Sequence, residues 1–200
     1  MATFTLPEGL APAVYPLAWL VGSWRGYGVM AYPGVPEQPL VHEMTFDHDG
    51  GPYLRCTSTL WAVDAEHSSS VPQETPGAEG ADRLGKAQVW ATESAYWRAA
   101  PEQPSSDGAP SGEHRSTALE VLVAQPTGHV AVYVGDVRSA RIDLVSDAVV
   151  RTAGAAEVSA GRRMYGLVQG ELMWVEELAA FGHELQSYAS GRLSRQEAGA

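Results

Sequence analysis

Seven residues, Gly22-Ser23-Trp24-Arg25-Gly26-Tyr27-Gly28, follow directly on the apolar run Leu17-Ala18-Trp19-Leu20-Val21. In an extended chain, successive side chains point to opposite faces. Gly22, Trp24, Gly26 and Gly28 therefore share one face, and Ser23, Arg25 and Tyr27 the other. A glycine inside a strand costs about 0.5–1 kcal/mol relative to alanine. Three on one face make sense where another backbone, a sharp bend or a ligand comes too close for a Cβ. Trp24, the large side chain among them, is then placed to close the end of a barrel. A Gly-rich turn following a helix is the other arrangement that fits this spacing.

The rest of the chain reads as strands. Leu17 to Val21 is long enough for one packed helical turn at the base of a sheet. The motif runs as a strand to Met30, and the three prolines between Tyr32 and Pro39 predict a loop, because proline cannot sit in a central strand. Alternation resumes over Leu40 to Asp47, and the turn-forming run Asp47-His48-Asp49-Gly50-Gly51-Pro52 leads into a strand from Tyr53 to Val63. Ala87 to Arg98 alternates again, with Val89, Ala91, Glu93 and Ala95 on one face. Strands are predicted over Leu119–Ala124, His129–Val137, Arg141–Val150, Glu157–Val168, Glu171–Glu176 and Glu184–Arg195, with a tight hairpin at Gln169-Gly170. Residues 66–86 and 99–117 carry few apolar side chains and read as flexible insertions in a single domain spanning residues 1–200. Nine or ten strands joined mostly by short turns predict an all-β, up-and-down antiparallel β-barrel of about ten strands, of the lipocalin or fatty-acid-binding-protein kind, with a short N-terminal helical turn. Such a barrel can hold a small-molecule ligand.

Charge narrows the partners. With 13 Lys and Arg against 24 Asp and Glu, the net charge is −11, which argues against nucleic acid and against an anionic membrane surface. No apolar run reaches transmembrane length, no signal-peptide pattern opens the chain, and the one cysteine, Cys56, suits a reducing compartment. The prediction is a cytoplasmic protein with Cys56 as a core thiol. The histidines, His42, His48, His67, His114, His129 and His183, show no zinc-binding spacing, and His42 and His48 read as exposed turn residues. No phosphate loop, nucleophile elbow or dinucleotide fingerprint is present.

The segment from Leu17 to Gly28 resembles the signature of the nitrobindin family, ten-stranded barrels with a G-x-W-x-G-x-G motif. The likeness continues through Phe46-Asp47-His48-Asp49-Gly50-Gly51-Pro52-Tyr53-Leu54, through Arg163 to Leu172 and through Leu185 to Arg195. It implies a ferric haem b held at one end of the barrel by a single axial histidine on the last strand, with isomerisation of peroxynitrite to nitrate and binding of nitric oxide. The family histidine lies in a pattern resembling L-x-x-H-L-x-x-x-L, and here Leu185-Gln186-Ser187-Tyr188 puts Tyr188 in its place. The family's Tyr-Pro-Thr reads Tyr32-Pro33-Gly34, and an expected lysine aligns with Ala155. The signature Gly22, Trp24, Gly26 and Gly28 is intact, while the positions that haem needs have changed.

Phenolate can hold ferric haem, so Tyr188 is one substitute ligand; His183, five residues upstream and of opposite strand parity, is another. In a fixed register the two cannot both point into the barrel. The expected function is therefore a non-haem or altered-ligand binding protein of unknown cofactor, a binder rather than an enzyme. The alternatives are a haem-dependent peroxynitrite isomerase using Tyr188 or His183, and a lipocalin-like carrier of a small apolar molecule.

Overall fold

The computed structural model describes residues 6–63, 71–86, 88–101 and 116–197. A 3-10 helix, Pro12–Leu20, precedes ten strands: β1 Gly22–Tyr32, β2 Val35–Asp47, β3 Leu54–Ala62, β4 Gln88–Ala99, β5 Thr117–Gln125, β6 His129–Arg138, β7 Arg141–Arg151, β8 Val158–Val168, β9 Glu171–Ala180 and β10 Gln186–Arg195. Each strand pairs antiparallel with its chain neighbours, and β1 pairs with β10 to close the barrel. The up-and-down barrel is the predicted one.

Its closure explains the glycines. A Cβ on Gly26 would stand 1.9 Å from the Arg192 carbonyl oxygen, and one on Gly28 would stand 2.1 Å from that of Ser190. β1 and β10 thus meet too closely for side chains, with Gly28 directly opposite Gly191. At this end the 3-10 helix seals the barrel, burying Val14, Leu17 and Leu20 against a core containing Trp24, Phe46, Leu54 and Trp97. Trp24 donates its indole N–H to the Leu20 carbonyl at 2.7 Å, and the Arg195 guanidinium lies over its ring at 4.2 Å. Cys56 is free and buried in this core.

Two expectations need correction. β2 begins at Val35 and takes in Pro36 and Pro39, which were read as loop. Among the described residues, 35–39 pair with β1 only, because the β2–β3 ladder starts at Leu40 opposite Ala62. A proline there faces no second neighbour whose ladder it could break. Pro33 and Gly34 form the preceding turn, with Gly34 at φ +84°, as a Pro-Gly type II turn requires.

The second correction falls in 66–86. Residues 66–70 lie outside the described residues, but Gly77–Leu84 forms a helix, α1, against the outside of β1 and β10. Its small residues allow close contact: a Cβ on Gly80 would meet the Tyr27 ring at 2.2 Å. The amide of Gly77 donates to the Glu171 carboxylate at 2.6 Å and that of Ala78 to Ser194 Oγ at 3.0 Å. Ala81 and Leu84, three residues apart, bury with Val41 and Val63 in a second small core. Of the 99–117 stretch, residues 102–115 lie outside the described residues.

Candidate functional site

The end opposite the 3-10 helix is the barrel mouth, where β1, β9 and β10 bring Tyr32, Ala180 and Tyr188 together. Tyr32 is buried, accepts the Ala180 amide at 2.8 Å and donates to the Leu178 carbonyl at 3.1 Å. The rings of His183 and Tyr188 both stand edge-on to it, with centroids 6.0 Å away. His183 lies exposed in the turn before β10. Tyr188 sits at a bulge: Ser187 pairs with Glu177 and Ala189 with Glu176, leaving Tyr188 between them. A bulge re-aims the side chain it carries, and Tyr188 packs against the core at the inner chamber although Ala189, beside it, is also inward. Strand parity therefore does not decide between His183 and Tyr188, since one is off the strand and the other on a bulge.

Across the mouth, Trp90 of β4 donates its indole N–H to the Tyr188 hydroxyl at 2.6 Å. β4 and β10 are separated by β3, β2 and β1 in the sheet, so this bond spans the opening. Burial raises the Tyr188 hydroxyl to about 12, outweighing the hydrogen bond from Trp90 that lowers it. The side chain is a phenol, not a phenolate, at neutral pH.

Beneath this bridge lies a chamber of about 480 Å³, within the range of small-ligand pockets. Its wall carries a buried ionic cluster. Arg163 of β8 holds Glu93 of β4 bidentately, at 2.6 and 2.8 Å, and reaches Glu176 of β9 at 3.1 Å. The Tyr133 ring covers the guanidinium at 4.9 Å. For Glu93, burial favours the neutral acid, but the charge and hydrogen bonds of Arg163 outweigh it and hold the carboxyl below its ordinary range. For Glu176, with one such hydrogen bond, burial wins and the carboxyl is held above that range. One guanidinium thus serves two unequal acids.

His42, read from sequence as an exposed turn residue, is 4% exposed on the chamber wall. Its Nε2 pairs with Ser58 Oγ at 2.8 Å, its ring meets Trp174 edge-on at 4.6 Å, and Nδ1 has no hydrogen-bond partner among the described residues. Burial lowers the imidazole to about 3, so it is neutral. His129, near the mouth, has both ring nitrogens engaged, one by Thr127 at 3.1 Å and one by the Ala156 carbonyl at 2.9 Å. Among the described residues no three His, Cys, Asp or Glu side chains stand together as a metal site, and no helix is long and apolar enough to cross a membrane.

The predicted residues thus divide between two places. Gly22, Trp24, Gly26 and Gly28 build the sealed end and the β1–β10 seam, whereas Tyr188 and His183 meet around Tyr32 at the mouth. Sequence reasoning missed Glu93, Arg163, Glu176, His42 and Trp90. A signal existed for several of them: Glu93 shares its strand face with Ala91 and Ala95, Glu176 follows Leu172 and Trp174 at alternate positions, and His42 precedes Met44 and Phe46 likewise. A charged or polar residue in an otherwise apolar stripe is a buried group that needs a partner.

A larger groove, about 810 Å³, runs outside the barrel beside α1, bordered by Tyr27, Gly28, Gly191 and Arg192. The buried charges gather in the inner chamber and not there.

Residues 13–195 match the THAP4-like, heme-binding beta-barrel domain family. A "Ferric nitrobindin-like protein" of Beutenbergia cavernae is 50% identical over 96% of this chain and 99% of that protein. A "Peroxynitrite isomerase" of Leifsonia xyli subsp. xyli is 34% identical over 96% of this chain and 98% of that protein. The crystal structure of Rv2717c from M. tuberculosis superposes with a TM-score of 0.68 at 27% identity, covering 94% of this chain and 99% of that one.

Proposed function

Because the chain belongs to the THAP4-like, heme-binding β-barrel family, we propose that it is a small-molecule-binding barrel that keeps the family's container without holding haem iron in the family's way. The observation that carries this reading is Tyr188, which stands at the position the resemblance gives to the axial histidine. A phenol held near 12 and tied to Trp90 is a poor iron ligand. A neighbouring guanidinium would help the iron depress the hydroxyl, but Arg163 is already committed to Glu93 and Glu176.

Among the described residues no histidine replaces it. His183 is exposed in a turn, His129 has both nitrogens bonded, and His42 is sealed in the wall with its Nε2 on Ser58. Ala155 brings no charge to the mouth, and Gly34 fills a turn. The described residues do not fit an imidazole-held haem, and the barrel's role is binding rather than peroxynitrite chemistry.

Hemin titration of the purified protein, followed in the Soret region, tests this. The expected result is weak, non-saturating absorbance, with a sharper and stoichiometric band in Tyr188→His. A saturable Soret band in the unaltered protein that disappears in Tyr188→Phe would overturn the proposal and restore a haem enzyme ligated by tyrosine. A band that survives in Tyr188→Phe and is lost in His183→Ala would overturn it in favour of His183.

A further inference from the structure

If the chamber does not serve haem iron, its wall still says what kind of molecule suits it. A barrel that carries fatty acids needs a buried cation free to meet a carboxylate. The guanidinium here spends both terminal nitrogens on carboxylates, and its buried Nε–H is left without a partner among the described residues. Arg163 is 5% exposed, clamped at 2.6 and 2.8 Å by Glu93 and at 3.1 Å by Glu176, and roofed by Tyr133. An anionic ligand would meet two carboxyls around one positive charge.

The complementary capacity lies on the acid side. Among the described residues Glu176 receives one hydrogen bond, to Oε1 from Arg163, and its side chain is 16% exposed toward the chamber. Close by, His42 is a buried neutral imidazole whose Nδ1 lacks a partner among those residues. The carboxyl oxygen left open on Glu176 asks for a further donor. The other walls are apolar, with Leu60, Val123, Ala131 and Leu178 lining the same space. The net charge of −11 also draws cations toward the molecule and repels anions.

We propose that the chamber takes an amphipathic cation, a protonated amine on a compact apolar body, with the ammonium seated on the open side of the Glu176 carboxyl, and that it excludes carboxylates. This deepens the reading of the protein as a non-haem binding barrel and rests on it. The ammonium supplies the positive charge that Arg163 alone does not provide for two acids. The Trp90–Tyr188 bridge lies over the chamber.

Three probes with the same alkyl body, octylamine, octanol and octanoate, separate the possibilities in calorimetric titrations of the full chain at fixed salt and pH 7. Octylamine is expected to bind at least tenfold more tightly than octanol, with no saturable heat from octanoate. In Glu176→Gln, which keeps the side-chain shape, the amine's advantage over the alcohol is expected to collapse to within twofold. Octanoate binding as tightly as octylamine overturns the proposal, and so does an undiminished preference for the amine in Glu176→Gln. Failure of all three probes to saturate also overturns it. That result leaves the hemin titration unaffected, so loss of this inference and loss of the non-haem reading are told apart.

Discussion

Replacing Arg163 with methionine removes the one positive charge from the buried cluster and leaves the stem's apolar volume in place. Glu93 loses a bidentate partner at 2.6 and 2.8 Å, and Glu176 loses its bond at 3.1 Å. At an effective dielectric of about 20, two unit charges about 4 Å apart interact with ~4 kcal/mol. Breaking a buried pair by removing one member costs about 3–5 kcal/mol. The two acids do not double this figure, because they share one guanidinium, which gives Glu93 two hydrogen bonds and Glu176 one. With a urea m-value of about 2–3 kcal/mol/M, the midpoint should fall by ~1–2 M at pH 7.

The pH dependence gives the sharper test. In the parent, Arg163 holds the folded Glu93 carboxyl below its ordinary value of 4.5. This favours folding above that value and is lost as pH falls through the folded pKa. In Arg163→Met, burial is opposed mainly by the hydrogen bond from Gln125 and should move the folded carboxyl upward. The variant therefore binds more proton on folding than the parent does, and its deficit should be full at pH 7 and shrink as pH falls toward 4. Adding Glu93→Gln and Glu176→Gln should recover at least half of the lost midpoint. A loss below about 1 kcal/mol at pH 7, or a deficit independent of pH between 4 and 7, would refute the reasoning, since breaking a buried pair predicts several times that.

Other outcomes follow from the same geometry. Gly28→Ala places a Cβ 2.1 Å from the Ser190 carbonyl and should lower stability by about 1–3 kcal/mol as β1 and β10 are forced apart. Gly154→Ala, with nothing within 4 Å of the added Cβ, is the matched control and should leave the thermal midpoint unchanged. His42, lowered to about 3 from 6.5 by burial, takes up its proton only on unfolding as pH drops from 6.5 toward 3. Its contribution is thus lost with acid over that window at up to ~1.4 kcal/mol per pH unit, partly opposed by the raised Glu176. In His42→Gln the stability curve should flatten between pH 6 and 4; an unchanged slope would show that other groups set the acid limb.

Strand alternation made nearly the whole barrel legible, because each inward face is a run of apolar residues at every second position. Three features were not legible for physical reasons. Pro36 and Pro39 are admitted to β2 by the absence of a second neighbour at that end, which depends on where β3 stops. α1 was hidden because its closest contacts with the barrel are made by Gly77 and Gly80, whose value lies in the side chain they lack. Tyr188 points inward through a bulge, an extra residue that a strict period of two cannot foresee. The chamber acids were present in the pattern as charges out of place in apolar stripes. Their shared partner Arg163 became visible only when β4, β8 and β9 were brought around the same space.

The seam between β1 and β10 joins the first strand of the chain to the last. On a ribosome making the protein from its N-terminus, β1 has to wait until roughly 170 residues have followed before its second neighbour exists, and loop closure over that span is paid before the seam rewards it. Until then β1 and whichever strand was made last are open edges, each able to pair with another chain. The amides of Gly77 and Ala78 that α1 offers to Glu171 and Ser194 likewise find no partner until those strands emerge. Completion of the barrel is thus one late event in which β10 is gripped from two sides, between β1 and β9 along its edges, with α1 across its outer face. A chain stopped short of β10 is left with nine strands, two unguarded edges and a helix resting on β1 and β2 without its contacts to the last strand.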